Sequence, residues 1–162
     1  MASGILSCFA LVQAKNYTDD KKMKGRYMFW HKSMGLLMGL CFVPRLAIRL
    51  TSKAPKLPEG NALEHGLANI SHLTLYGLMA FMPLSGIAMG YFGGKGLPFF
   101  FTTIPGATKE QKNPKIAKNA YKYHKQFGQF FEYIFVPLHI GAVGFHFLRG
   151  QNILTRINPF VK

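Results

Sequence analysis

The chain has 162 residues, a length that suits one domain. It is 49% hydrophobic, yet it carries 20 Lys and Arg against 6 Asp and Glu, a formal charge of +14. Long apolar runs with the basic residues set outside them reconcile these figures, and they exclude an ordinary soluble domain in favour of an integral membrane protein. The basic residues flank the apolar runs and do not stripe a soluble face, so the charge suits anionic lipid head groups and acidic neighbours, not nucleic acid. Cys8 and Cys41 both fall inside apolar runs, and no disulfide framework is implied.

The first apolar run covers 2–14. As a helix it reaches roughly 20 Å, short of a hydrocarbon core of about 30 Å. It has no basic n-region and no clear cleavage site, so it is expected to stay in the protein. Residues 16–26 are polar and basic, a loop or a surface helix. Helix A is expected over 27–50, with Pro44, Arg45 and Arg49 at its far end, where the arginines reach the head groups. Residues 51–63 hold Pro55, Pro58 and Gly60 and read as a loop.

Helix B is expected over 65–92, kinked by Pro83 and ended by Gly93, Gly94 and Gly96. The aromatic segment 97–104, with Phe99, Phe100 and Phe101, is too short to span and belongs at the interface. Residues 105–118 are polar. Helix C is expected over 119–148, with Pro137 as a kink and Glu132 inside the span, where a carboxylate is costly unless paired. A basic amphipathic tail follows from 149. The expected fold is all-α: a single integral-membrane helical bundle over 1–162, with three full transmembrane helices and a short N-terminal apolar helix.

Two short stretches repeat one pattern. Trp30-His31-Lys32-Ser33-Met34-Gly35 and Tyr123-His124-Lys125-Gln126-Phe127-Gly128 both read aromatic-His-Lys-x-x-Gly, and both open an apolar run. Residues four apart share a helix face, so Gly35 lies beside His31 and Gly128 beside His124. A ring nitrogen next to a missing side chain suits a flat metallated macrocycle. Helices A and C are separated by one span and run the same way, which sets His31 and His124 at one height as opposite ligands of one haem iron. Gly35 and Gly39 also make a GxxxG strip that serves helix packing. Lys32 and Lys125 are placed to pair with haem propionates, or are simply solvated.

Other histidines fall at a second height. His139 lies about 22 Å along the helix from His124, and His146 about 33 Å from it. His72 opens helix B from the opposite side. These three are candidates for a second haem iron, whereas His65, beside Glu64, belongs to loop chemistry.

The chain after Phe29 resembles the bacterial-type cytochrome b561 family of four-helix, two-haem membrane cytochromes. The resemblance is carried by HKSMGLLMGL with RLAIRL, by HLTLYGLMAFMPLSGIAMGYFGGKGLPFF, and by YHKQFG, PLHIGAVGFH and ILTRINPF. It implies haem b on the histidines that open the second and fourth spans, here His31 and His124. It implies a second haem on a first-span histidine and one deep in the fourth span, here His139. The run 1–15 contains no histidine, so the second site departs from the pattern and is left to His72, another chain, an empty site or a five-coordinate haem. The spacing from His124 to His139 is also a residue long, which a bulge near Pro137 would absorb.

The resemblance implies one-electron transfer, with quinone as the small partner and superoxide as a donor for some relatives. The rival expectation is a haem-poor accessory subunit of a larger respiratory complex, in a mitochondrial inner or bacterial cytoplasmic membrane. A proton path through Glu132, His139 and His72 is a third. Most Lys and Arg lie at the His31 end, which the positive-inside rule puts in the cytoplasm or matrix. The family places that end outside.

Overall fold

The computed structural model describes residues 1–52 and 59–153. The proline-bearing part of the 51–63 loop and the basic tail beyond Ile153 lie outside the described residues. The order is α1 (Ala2–Tyr17), α2 (Lys21–Thr51), α3 (Ala62–Phe92), β1 (Leu97–Phe99), β2 (Thr102–Ile104), α4 (Pro114–Phe130), a π-helical turn (Phe131–Phe135) and α5 (Val136–Leu148). Among the described residues three stretches are long and apolar enough to cross a membrane: Lys21–Thr51, Ala62–Phe92 and Pro114–Leu148, the last running through α4, the π-turn and α5. With α1 they make the expected helical bundle.

Each long helix starts earlier than the hydropathy suggested, because a polar cap fixes its first turn. Asp20 accepts from the Lys22 N–H at 2.8 Å, so helix A begins at Lys21 and not at 27. Asn61 accepts from the Glu64 N–H at 2.9 Å, and Asn113 from the Ile116 N–H at 3.1 Å with Pro114 next in line. Hydropathy finds the part of a helix that faces lipid, whereas capping decides where the hydrogen-bond ladder starts. At about 1.5 Å per residue these helices exceed the hydrocarbon thickness, so their polar first turns project from it.

The interior is small and sits at mid-height. Leu78, Phe131 and Phe135 form its buried centre, with Ile5, Phe9, Leu75, Met82 and Val136 packed against it. Phe9 meets Phe131 edge to face at 5.3 Å, which ties the short α1 into the bundle. Outside this centre, large apolar side chains such as Leu50, Leu73, Leu138 and Leu148 are exposed, as lipid-facing residues are. Glycines let the helices approach. A Cβ at Gly39 would come within 2.8 Å of the Pro83 ring, so this half of the GxxxG strip serves the contact of α2 with α3. Gly35, the other half, has nothing within 4 Å of a Cβ built on it.

The aromatic segment 97–104 is not a bare interfacial loop. It folds into an antiparallel hairpin in which Phe99 pairs with Thr102. Ser33, fully buried on α2, holds it: its hydroxyl donates to the Pro98 carbonyl at 3.3 Å and accepts from the Phe100 N–H at 3.1 Å. That anchor secures Phe100 at φ 49°, a conformation an L residue adopts only under constraint.

The π-turn accounts for the extra residue between His124 and His139. Pro137 has no N–H for the carbonyl four residues before it, and the Val136 N–H bonds to the Phe131 carbonyl, five residues back. The bulge therefore lies in the turn just before Pro137, and the helix continues through it to Leu148.

Replacing Gly39 with Leu is expected to destabilise the bundle by about 1–3 kcal/mol, because the Pro83 ring cannot move aside. Thermal unfolding in detergent would read this, while Gly35→Ala, with open space around it, should unfold at nearly the parent temperature.

Candidate functional site

Six histidines enter the bundle region, and the fold sorts four of them into two pairs. His31 of α2 and His124 of α4 have ring centres 6.2 Å apart with planes at 89°. His72 of α3 and His139 of α5 have ring centres 6.1 Å apart with planes at 63°. In both pairs the rings come from different helices, so each spacing is a product of packing.

The upper pair is held by hydrogen bonds that also set its protonation. The His31 Nδ1 lies 3.0 Å from the Cys8 carbonyl of α1. A carbonyl only accepts, so Nδ1 carries the proton and donates. The His124 Nδ1 lies 2.9 Å from the Ser85 hydroxyl of α3. Ser85 has one proton, which it gives to the Phe81 carbonyl at 2.7 Å, so towards His124 it accepts and Nδ1 again donates. Both rings are thereby fixed with Nδ1 protonated and Nε2 a bare lone pair. A metal-binding imidazole is prepared in just this way, with its outer N–H tied to the protein.

The lower pair repeats part of this arrangement. The His139 Nδ1 lies 3.3 Å from the Ser71 hydroxyl of α3, and its ring stacks on Phe135 at 5.8 Å and 13°. Ser71 and Ser85 are 14 residues apart on α3, and their partners His139 and His124 are 15 apart on the antiparallel helix. The π-turn takes up the difference of one residue, and so keeps both serine–histidine contacts in register.

Other expected residues fall differently. Gly128 is not open space, since a Cβ there would lie 3.3 Å from the Met82 methyl; it brings α4 close to α3. The glycine beside the His124 ring is Gly86 of α3, where a Cβ would stand 3.7 Å from His124 Cε1. Lys32 and Lys125 are exposed at the mouth of the upper pair. His146 is not drawn into the lower pair; its Nδ1 is 2.6 Å from Gln151 Oε1, near the Arg149–Glu64 ion pair of 2.7 Å. Glu132 accepts from the Gln13 amide at 2.8 Å, and the same amide meets the Tyr133 hydroxyl. Sequence reasoning missed Ser71, Ser85, Gly86 and the Cys8 carbonyl. Small residues on a span read as packing, and a carbonyl has no sequence signature at all.

Among the described residues no group of three or more His, Cys, Asp and Glu is placed to hold a bare metal ion. Ligands that come in opposed pairs suit a planar group that brings four nitrogens of its own. Two imidazole–metal bonds of about 2 Å, with each ring centre about 1 Å behind its nitrogen, set ring centres roughly 6 Å apart. The observed 6.2 and 6.1 Å fit that requirement.

The fold and the paired histidines define a helical membrane bundle of the cytochrome type. The chain belongs to the family described as prokaryotic cytochrome b561, which matches residues 1–159. Relatives include the Yersinia pestis protein named "Probable superoxide oxidase CybB", 29% identical over 131 residues, covering 80% of this chain and 73% of that one. "Cytochrome b561 homolog 1" of Escherichia coli K12 is 27% identical over 132 residues, with the same 80% and 73% coverage. The chain is thus a membrane-spanning member of a family whose chemistry is electron transfer through b-type haem.

Nitrogen NMR of the histidine-labelled, haem-free protein is expected to show His31 and His124 as Nδ1-protonated tautomers. Ser85→Ala should release His124 into a mixture and leave His31, which relies on the Cys8 carbonyl, unchanged.

Proposed function

We propose that the protein is an electron-carrying b-type cytochrome whose haem iron is held by His31 and His124. The observation that carries this is the pair of rings 6.2 Å apart, each with Nδ1 committed to a neighbouring helix and Nε2 left as a lone pair. When bound between His31 and His124, haem would supply one-electron iron chemistry, with each histidine giving it a ring nitrogen. The chain's own residues do the rest. Cys8 and Ser85 fix the tautomers and raise ligand basicity. Gly35 and Gly86 leave room beside the two rings for a flat group. Lys32 and Lys125, each exposed one residue after its histidine, would pair with the propionates of a bound haem. Trp30, next to His31, meets the hairpin ring Phe100 at 5.9 Å.

The finer partners belong to the same proposal. Quinone dissolved in the bilayer is the electron acceptor. A small anionic donor such as superoxide suits the basic end, where Lys21, Lys22, Lys24 and Lys32 raise the local concentration of anions. The same charges bind anionic head groups. Bacterial relatives support a bacterial cytoplasmic membrane as the location over a mitochondrial inner membrane. A second reading, an accessory subunit within a larger respiratory complex, is favoured by one observation: α1 carries no histidine for the second site that the family pattern places there.

His31→Ala and His124→Ala are each expected to lower haem content by one per chain and to abolish the matching reduced-minus-oxidised α-band. Unchanged haem in His124→Ala would overturn the assignment. Purification from native membranes separates the two readings, since a lone carrier leaves the column without other subunits.

A further inference from the structure

We propose that a second haem is held between His72 of α3 and His139 of α5, so that both its protein ligands come from neighbouring spans and none comes from α1. This rests on the reading that the chain carries b-type haem, and it departs from the family pattern, in which a first-span histidine supplies one ligand.

Three observations select this pair. The His72 and His139 rings have centres 6.1 Å apart, within about 0.1 Å of the upper pair and equally matched to two imidazoles on one metal. The Ser71–His139 contact repeats the Ser85–His124 contact one level down, and the π-turn keeps the two in register. A device that orients an imidazole at the first site therefore recurs at the second. Finally, the alternative histidine is engaged elsewhere: His146 is two turns further along α5 and bonded to Gln151.

The surroundings suit a macrocycle. Phe135, itself buried in the bundle centre, stacks flat on His139 and fixes the plane of its ring. Gly77, just over a turn beyond His72 on α3, has nothing within 4 Å of a Cβ built on it. His72 is exposed and His139 half-buried, so the site opens towards the bilayer, where the apolar rim of a haem is at home. Ser71 and Ser85 are roughly 20 Å apart along α3, so haem binding at both levels spans most of the hydrocarbon layer.

The test is haem stoichiometry by pyridine haemochrome on the purified full-length protein, with an electrochemical titration of each variant. The parent should hold two haems per chain. His72→Ala and His139→Ala should each hold one, with the potential of the remaining haem unchanged, and added imidazole should restore the second in His72→Ala. His124→Ala should lose the other haem, and His146→Ala should keep both. If His72→Ala does not fold, His72→Met is read instead: a thioether in place of one imidazole should shift the potential of one haem only, and an unshifted titration overturns the proposal. Two haems retained in His72→Ala also overturn it. A parent with a single haem, lost in His124→Ala and indifferent to His72, overturns this inference while the first assignment stands. A parent with no haem overturns both.

Discussion

An imidazole inside a hydrocarbon layer has two ring nitrogens and no water to satisfy them. An N–H left without an acceptor there costs several kcal/mol. In the upper pair each Nδ1–H is given to a different neighbour, the Cys8 carbonyl on α1 and the Ser85 hydroxyl on α3. Those two bonds do more than satisfy a donor. They choose the tautomer, restrict the ring's rotation and leave Nε2 as the only free lone pair. The paired rings of α2 and α4 are thus tied to the two remaining helices, and the upper half of the bundle depends on that cross-bracing.

The interior that supports this is slight. Leu78, Phe131 and Phe135 are buried among partly buried neighbours, and many large apolar residues face outwards. In a membrane, burial of apolar surface does not drive helices together, since lipid is as apolar as leucine. Close approach and internal hydrogen bonds take its place. Gly39 against Pro83, Gly4 against Met38 and Gly128 against Met82 set the separations, while serines on α3 supply polar contacts to the histidines of the next span. The π-turn belongs to the same economy. It forms where Pro137 has already broken the α-ladder, and it keeps two serine–histidine contacts aligned across helices of unequal residue count.

The four paired histidines lie at two heights in the bundle, and α1 supplies none of them. α1 is short, packs along α2 and reaches the core through Ile5 and Phe9. It contributes a carbonyl, not a ring, to the upper pair. The lower pair is assembled from α3 and α5, which meet there through the His72 and His139 rings and the Ser71–His139 contact. The hairpin Leu97–Ile104, pinned by Ser33, sets Phe100 against Trp30, the residue before His31.

Hydropathy and charge in the sequence were enough for the three spans, the short first helix and the membrane class, because a lipid-facing helix is written residue by residue in apolar side chains. The repeated aromatic-His-Lys-x-x-Gly pattern likewise gave the height of His31 and His124, since helical rise is a local property. Helix starts at Lys21, Ala62 and Pro114 were less legible, as they depend on single capping residues within polar stretches. The hairpin was hidden, because its register depends on a serine sixty-odd residues away in the chain. The tertiary structure alone decided which rings meet, that His72 and not His146 stands opposite His139, that Gly86 and not Gly128 borders His124, and which nitrogen of each upper ring keeps its lone pair. Those are distances and bond directions between separate helices, fixed by how backbones approach at glycine and proline, and no local pattern records them.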